Sequence, residues 1–463
     1  MVDITRRDMI AAAAGAAALG VAPSLAQSPG AAPETPAAVA ADAAPEDRVF
    51  VCCEDSATLA VIDPNRNVVA ATVNLTSFDE DPRPPFRFVT GGVPAPHAAM
   101  IHKPLYHGAI GVHGAGPSPD ETTIAATGRG SSNVYLVDTR SLAVIGSRPN
   151  PQAGGTTNPM RVSDGILVGR EPHAPTFSRN DRELWVAVRG SDRIAILDAE
   201  LARRAAAGEA VDAVRMMLPT LNGPAQAWFS PDGAVAFVAS QKTAQLDVFE
   251  TDPDPAGFSR PRRRTTLDMA LVDRYGFTPF IKTSPDGREL WLSHKLADRL
   301  SSISVAAPHD KLDEISLGEG ARPNHVEFVW NARGKAVYAT LARVDDGGPG
   351  GVASSRIAVI DQSPPHGQRP IVGAFYSQGR EAHGLWVNPA GTRLYVAHEQ
   401  DELPGTPDEG QTVVTCFDVS DPFAPRFVAK IPLGELALPS GRLRNKKGIS
   451  VVYVRPGRRG PAG

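Results

Sequence analysis

"EPHAPTFSRNDRELWVAVRGSDRIAILD", Glu171 to Asp198, is the stretch that sets the fold. A short apolar run ends in the polar turn "SRND". The alternating run "ELWVAV" follows, then a second turn, "RGSD", and a third run, "RIAILD". Alternation with period two, interrupted by turn residues, is the pattern of antiparallel strands. The unit recurs. "GVHGAGPSPDETTIAATGRGSSNVYLVD" starts at Gly111, "GPAQAWFSPDGAVAFVASQKTAQLDVFE" at Gly223 and "FTPFIKTSPDGRELWLSHKLADRLSSISV" at Phe277. "RPNHVEFVWNARGKAVYATLA" starts at Arg322 and "EAHGLWVNPAGTRLYVAHEQ" at Glu381. The turn residue recurs at Ser118, Ser178, Ser230, Ser284, Asn331 and Asn388.

A fourth run follows several units, as in "LAVIGSR" and "RFVAKIPLG". One such sheet cannot bury both of its faces, so the sheets must stack around an axis. "RVFVCCEDSATLAVIDPNRNVVAATV", Arg48 to Val73, reads as a further unit without its inner strand. The C-terminal "GISVVYVRP", Gly448 to Pro456, can supply that strand and remove the free edge where the ends meet. The expectation is an all-β chain, a seven-bladed β-propeller over residues 48–456. Six or eight blades remain open, because residues 76–108 have no place in the repeat.

The 463 residues are 42% hydrophobic, ample for a core, and carry a formal net charge of -4 without a basic tract. This excludes nucleic acid and an anionic membrane as main partners. "TRRDMI", Thr5 to Ile10, precedes the small-residue run "AAAAGAAALGVAPSLA", Ala11 to Ala26. A basic pair, a weakly apolar run and a small-x-small end read as an export signal of the twin-arginine type over 1–26. The run is too short and alanine-rich for stable membrane insertion. A Pro/Ala-rich flexible leader is expected over 27–47 and a tail over 457–463, with the protein in the periplasm or secreted. Cys52, Cys53 and Cys416 do not make a disulfide scaffold. A bridge from Cys416 to Cys52 or Cys53 is one expectation; three buried apolar thiols are the other.

The strings "RLYVAHE", "ELWVAVRG", "ELWLSHK" and "AVYATLA", each after a Pro-Asp-Gly-like turn, resemble the YVTN family of seven-bladed propellers over roughly 48–456. That shape hosts lactonases, copper enzymes, electron-transfer enzymes and binding modules, so function has to come from the site.

The histidines carry the site expectation. His113, His173 and His383 each lie five residues before a turn Ser or Asn, and His325 lies six before Asn331. All four stand at the start of an inner strand, where four blades converge on one funnel. His398, at the end of a second strand, returns to the same rim, as does His294. His97 and His102 precede the second unit and are expected to fold over the funnel. Imidazole-rich surroundings suit copper first, with zinc or iron as alternatives. The arrangement resembles nitrous-oxide reductases and related copper propellers, which implies His113, His173, His325 and His383 as metal ligands, with His97 or His102 added. The chain lacks an adjacent His-His pair, and no cupredoxin domain follows. Rim groups Glu171, Glu399 and Lys295 are the candidate acids and bases; Glu54 and Asp55 join them if they turn inward. Glu171 and Glu381, two residues before their histidines, could orient those rings.

The leading expectation is therefore an exported copper oxidoreductase acting on a small substrate, with a periplasmic electron-transfer partner. A metal-free lactonase-like hydrolase is the first alternative; it needs an imidazole-carboxylate dyad within the funnel. A non-catalytic binding or envelope protein is the second.

Overall fold

The computed structural model describes residues 43–75, 110–151, 160–438 and 441–456, except 271 and 273. The export signal, nearly all of the leader, the tail, His97, His102 and His107 lie outside these residues. Seven four-stranded antiparallel sheets are present, with two short two-stranded hairpins beside them. The innermost strands contact one another in a closed ring. The chain is thus a seven-bladed propeller, and the alternative counts of six and eight fall.

Blade 1 pairs Arg48–Cys53, Thr58–Asp63 and Val68–Asn74 with an inner strand from the C-terminus, Gly448–Val454. Val49 faces Tyr453, and Val51 faces Val451, so the two chain ends close the ring as expected. Blade 2 departs from expectation. "LAVIGSR" does not form its outer strand; Val144 makes one isolated bridge to Val137, and the outer edge is Ile166–Leu167. Asp138 causes this: its carboxylate accepts from the backbone N–H groups of Arg140 and Ser141, curling the chain before a ladder can start.

The single α-helix among the described residues, Ala199–Ala206, falls where "DAELARRAAAGEA" predicts. Asp198 caps it, accepting from Glu200 and Leu201 N–H at 2.9 and 3.0 Å. Ala199, Ala202 and Ala206 pack it on blade 3. Among the described residues no helix is long and apolar enough to cross a membrane. Cys52, Cys53 and Cys416 are buried and free, so the bridge does not form; Cys53 and Cys416 pack in one apolar cluster.

Two devices fix blade against blade. In "RELW", the buried Glu accepts the indole N–H two residues on. Trp185 reaches Glu183 at 3.0 Å, and Trp291 reaches Glu289 at 2.8 Å. Ser259 of blade 4 and Arg369 of blade 6 bind the same carboxylates. The second device is a hydroxyl on a second strand that donates to a carbonyl of the next blade's inner strand. Thr127 holds His173 O at 2.8 Å, Thr340 holds His383 O at 2.6 Å, and Ser293 holds Asn324 O at 2.6 Å. All three hydroxyl residues are buried, where such bonds resist exchange with water.

Candidate active site

Each inner strand is entered through a residue with left-handed backbone. These are Gly111, Glu171, Gly223, Gly276, Arg322, Glu381 and Lys447, with φ between 53° and 69°. Glycine adopts this freely; the other four cost about 1–3 kcal/mol each, the kind of strain that gathers at working sites. The kink leads straight into the histidines, which follow by two residues in blades 2, 3 and 7 and by three in blade 6. A Cβ on Gly114 would lie 2.2 Å from His173 O, and one on Gly384 would lie 2.4 Å from Ile449 O. The glycine after each of these two histidines therefore lets neighbouring inner strands touch, and the rings meet across the axis.

The four imidazoles do converge. Ring centroids are 4.4 Å apart for His113–His173, 4.8 Å for His325–His383 and 6.2 Å for His113–His383. Their partners fix the tautomers. Nδ1 of His113 lies 3.0 Å from Glu54 Oε1, and Nδ1 of His173 lies 2.7 Å from Ala225 O. The Ala225 carbonyl only accepts, so Nδ1 of His173 carries hydrogen; at His113 Nδ1 the Glu54 carboxylate and the Arg129 guanidinium, 3.3 Å away, both approach. The Nε2 of His173 therefore accepts, and it lies 3.1 Å from His113 Nε2, a spacing at which one proton bridges the two nitrogens. Gln241 donates to His173 Nε2 at 3.1 Å, in keeping with that assignment. Burial, with Arg129 next, pushes the His113 imidazole down to about 4, against the pull of Glu54. Burial also lowers His173, and it lowers His325 to about 3.

Behind this pair lies a charged layer. Glu54 is fully buried and bound by Arg129 at 3.1 Å and Lys447 at 2.5 Å. Burial opposes its ionisation, but the His113 ring, Lys447 and Arg129 outweigh that and hold the carboxyl well below the usual range. His383 donates through Nδ1 to Ile449 O at 3.0 Å, and its Nε2 lies 3.5 Å from Glu399 Oε1. Burial, followed by the charge of Glu381, raises Glu399 to about 7. Burial lowers Lys295, opposed by Glu399.

In front of the histidines runs a chamber of about 530 Å³. His113, His173 and His325 line its inner end; the "SPDG"-type turns form its other end. Gln226 lines it as well. Its Oε1 accepts from Ile281 N–H at 3.0 Å, leaving the amide NH₂ as its donor group. A wider hollow of about 750 Å³ lies near Glu289, His309 and His366. Its buried carboxylate Glu289 is bound by Arg369 at 2.7 Å, and the same guanidinium holds Asp313 at 2.8 Å, which joins blades 5 and 6.

Several expected positions need correction. His398 does not face the funnel. It bonds Val413 O at 3.1 Å and Ser377 Oγ at 3.0 Å and is fully buried between strands. His294 likewise bonds Ser301 Oγ and Thr278 Oγ1. Glu171 does not orient His173; its charge supports Arg189, while Glu381 accepts from Gln400 at 2.8 Å. Lys447 and Gln241 escaped the sequence reading. The kink position shared with Glu171 and Glu381 is the signal that marks Lys447.

Residues 167–347 match the family model described as lactonase, seven-bladed β-propeller. No curated protein matches the chain. Among solved structures, the fold is similar to a protein of Bacteroides uniformis proposed to be a 6-phosphogluconolactonase, at 14% identity and TM-score 0.54. The match covers 88% of this chain and 100% of that one. A Bacteroides fragilis protein of the same proposed activity gives 11% identity and TM-score 0.55, over 89% and 98% of the two chains. A functionally unknown protein of Desulfotomaculum acetoxidans gives 9% and 0.53, over 89% and 99%. These likenesses speak to fold alone.

The family match overturns the expectation of a copper oxidoreductase, since the stretch matched holds His173 and His325. His97 and His102, expected as further ligands, lie outside the described residues. Among the described residues no three His, Cys, Asp or Glu side chains are grouped so as to hold an ion.

Proposed function

We propose that the protein is a lactonase-like hydrolase that opens cyclic esters with a base built from two imidazoles. The observation that carries this reading is the pair of Nε2 atoms of His113 and His173, 3.1 Å apart at the floor of a chamber and backed by the buried Glu54. A water at that floor loses its proton to the pair, which shares it between two acceptors, and attacks the lactone carbonyl. Glu54 steadies the positive charge that results. The Gln226 amide donates to the oxyanion as it develops. Collapse breaks the bond to the ring oxygen, and the alkoxide takes the proton back from the pair. Water plus lactone thus gives one hydroxy acid, with no net proton retained by the protein.

A pH-stat assay over a panel of lactones tests this. Turnover is expected from wild type, with kcat/KM falling below pH 4 as His113 takes up a proton, and a loss of at least 100-fold in folded His113→Gln. Turnover that survives His113→Gln refutes the assignment. The Arg6-Arg7 pair ahead of the apolar run supports export of folded protein to the periplasm. Fractionation should find an Arg6→Lys, Arg7→Lys variant retained in the cytoplasm.

A further inference from the structure

We propose that the chamber selects lactones that carry a planar aromatic group, a reading that rests on the cyclic-ester hydrolase above and names its substrate class. The walls between the histidines and the turns hold Trp228, Phe280, Phe328, Trp330, Trp386 and Tyr453. These rings connect to the floor. Phe280 stacks on His325 with centroids 4.0 Å apart and planes 18° from parallel, and Trp228 lies 6.4 Å from Phe280. Phe328 meets Trp330 edge-on at 6.3 Å. A flat ring sliding along Phe280 would bring an ester fused to it to the His113–His173 pair, gaining offset-stacked or edge-to-face contacts along the way.

The charged groups of the lining are already engaged. Lys282 binds both oxygens of Glu327, at 2.7 and 2.8 Å, and sits 4.2 Å over the Trp386 ring. Glu121 pairs with Arg455 at 2.7 Å. Arg179 donates to Phe229 O at 2.8 Å and Ser230 O at 3.2 Å and covers Trp228. A phosphorylated sugar lactone would have to draw Arg179 off the Trp228 face and its two carbonyls or break an ion pair to gain a cation, whereas an aromatic lactone needs neither. The chamber, about 530 Å³, lies within the size range of small-molecule pockets.

Calorimetric titration with 3,4-dihydro-2-quinolone, a hydrolysis-resistant lactam, and parallel turnover of dihydrocoumarin test the proposal. The lactam is expected to bind at least ten-fold more tightly than a 6-phosphorylated gluconolactam. Phe280→Leu and Trp386→Leu, folded by circular dichroism, should each weaken it by about ten-fold and raise KM for dihydrocoumarin with kcat within three-fold. His113→Gln should leave lactam binding within three-fold while abolishing turnover. Quinolone binding without turnover of any cyclic ester overturns the hydrolase reading and leaves aromatic selection standing. Turnover of phosphorylated sugar lactone without quinolone binding overturns aromatic selection and leaves the hydrolase standing.

Discussion

Glu54→Gln isolates the role of the carboxylate behind the imidazole pair. Its Oε1 lies 3.0 Å from His113 Nδ1 and 3.1 Å from Arg129, and its Oε2 lies 2.5 Å from Lys447. When the pair takes up a proton, a positive charge centred about 4 Å from the carboxylate is worth about 4 kcal/mol at an effective dielectric of about 20. Losing it corresponds to about three powers of ten in kcat/KM. The amide can still accept from Nδ1, so the tautomer survives, but its NH₂ would face the Lys447 ammonium. Removing one member of a buried ion pair costs about 3–5 kcal/mol, so the variant should also unfold at lower denaturant. The assay is a cycle of wild type, Glu54→Gln, His113→Gln and the double variant, each checked for folding. If the carboxylate acts through the ring, the double variant is no slower than His113→Gln alone. Losses that multiply, or a folded Glu54→Gln of full activity, refute the mechanism.

Glu399 is raised to about 7 by burial and by Glu381, so it favours the native state most when protonated, below its unfolded value near 4.5. That contribution fades as pH climbs from about 4.5 through 7. Glu399→Gln should therefore leave stability at pH 4 nearly unchanged and raise it at pH 8 by about 3 kcal/mol, measured by urea denaturation at both pH values. Gly114→Ala puts a Cβ 2.2 Å from His173 O and 3.0 Å from Ala174 Cα. The inner strands must part, and we expect a loss of about 1–3 kcal/mol together with at least ten-fold in turnover. His398→Asn removes a buried ring bonded to Val413 O and Ser377 Oγ. It should destabilise by about 2–4 kcal/mol in thermal unfolding while the folded fraction keeps kcat and KM.

The blades were legible because each repeats one local rule, alternation broken by an Asp-Gly-type turn. The closing strand was legible because Arg48–Cys53 has no inner partner nearby in sequence. Convergence of His113, His173, His325 and His383 followed from counting back from the turns. The chemistry did not follow, since the tautomers are set by Glu54, the Ala225 carbonyl and the Ile449 carbonyl, contacts that cross blades. His398 was misplaced for a simpler reason. Counting finds the end of a strand but not its face, and one residue in an alternating strand reverses the side. The residue that faces His383 is the next one, Glu399; the same step separates His294 from Lys295. Lys447 was hidden because its partner Glu54 lies 393 positions earlier, at the other end of the closed ring.

The closing strand does more than seal the propeller. It carries Lys447 to Glu54 and the Ile449 carbonyl to His383 Nδ1. A chain emerging from the ribosome thus holds His113, Glu54 and His383 before the strand that links them exists. The histidine cluster gains its Lys447 and Ile449 contacts in one step, when Gly448–Val454 completes the circle.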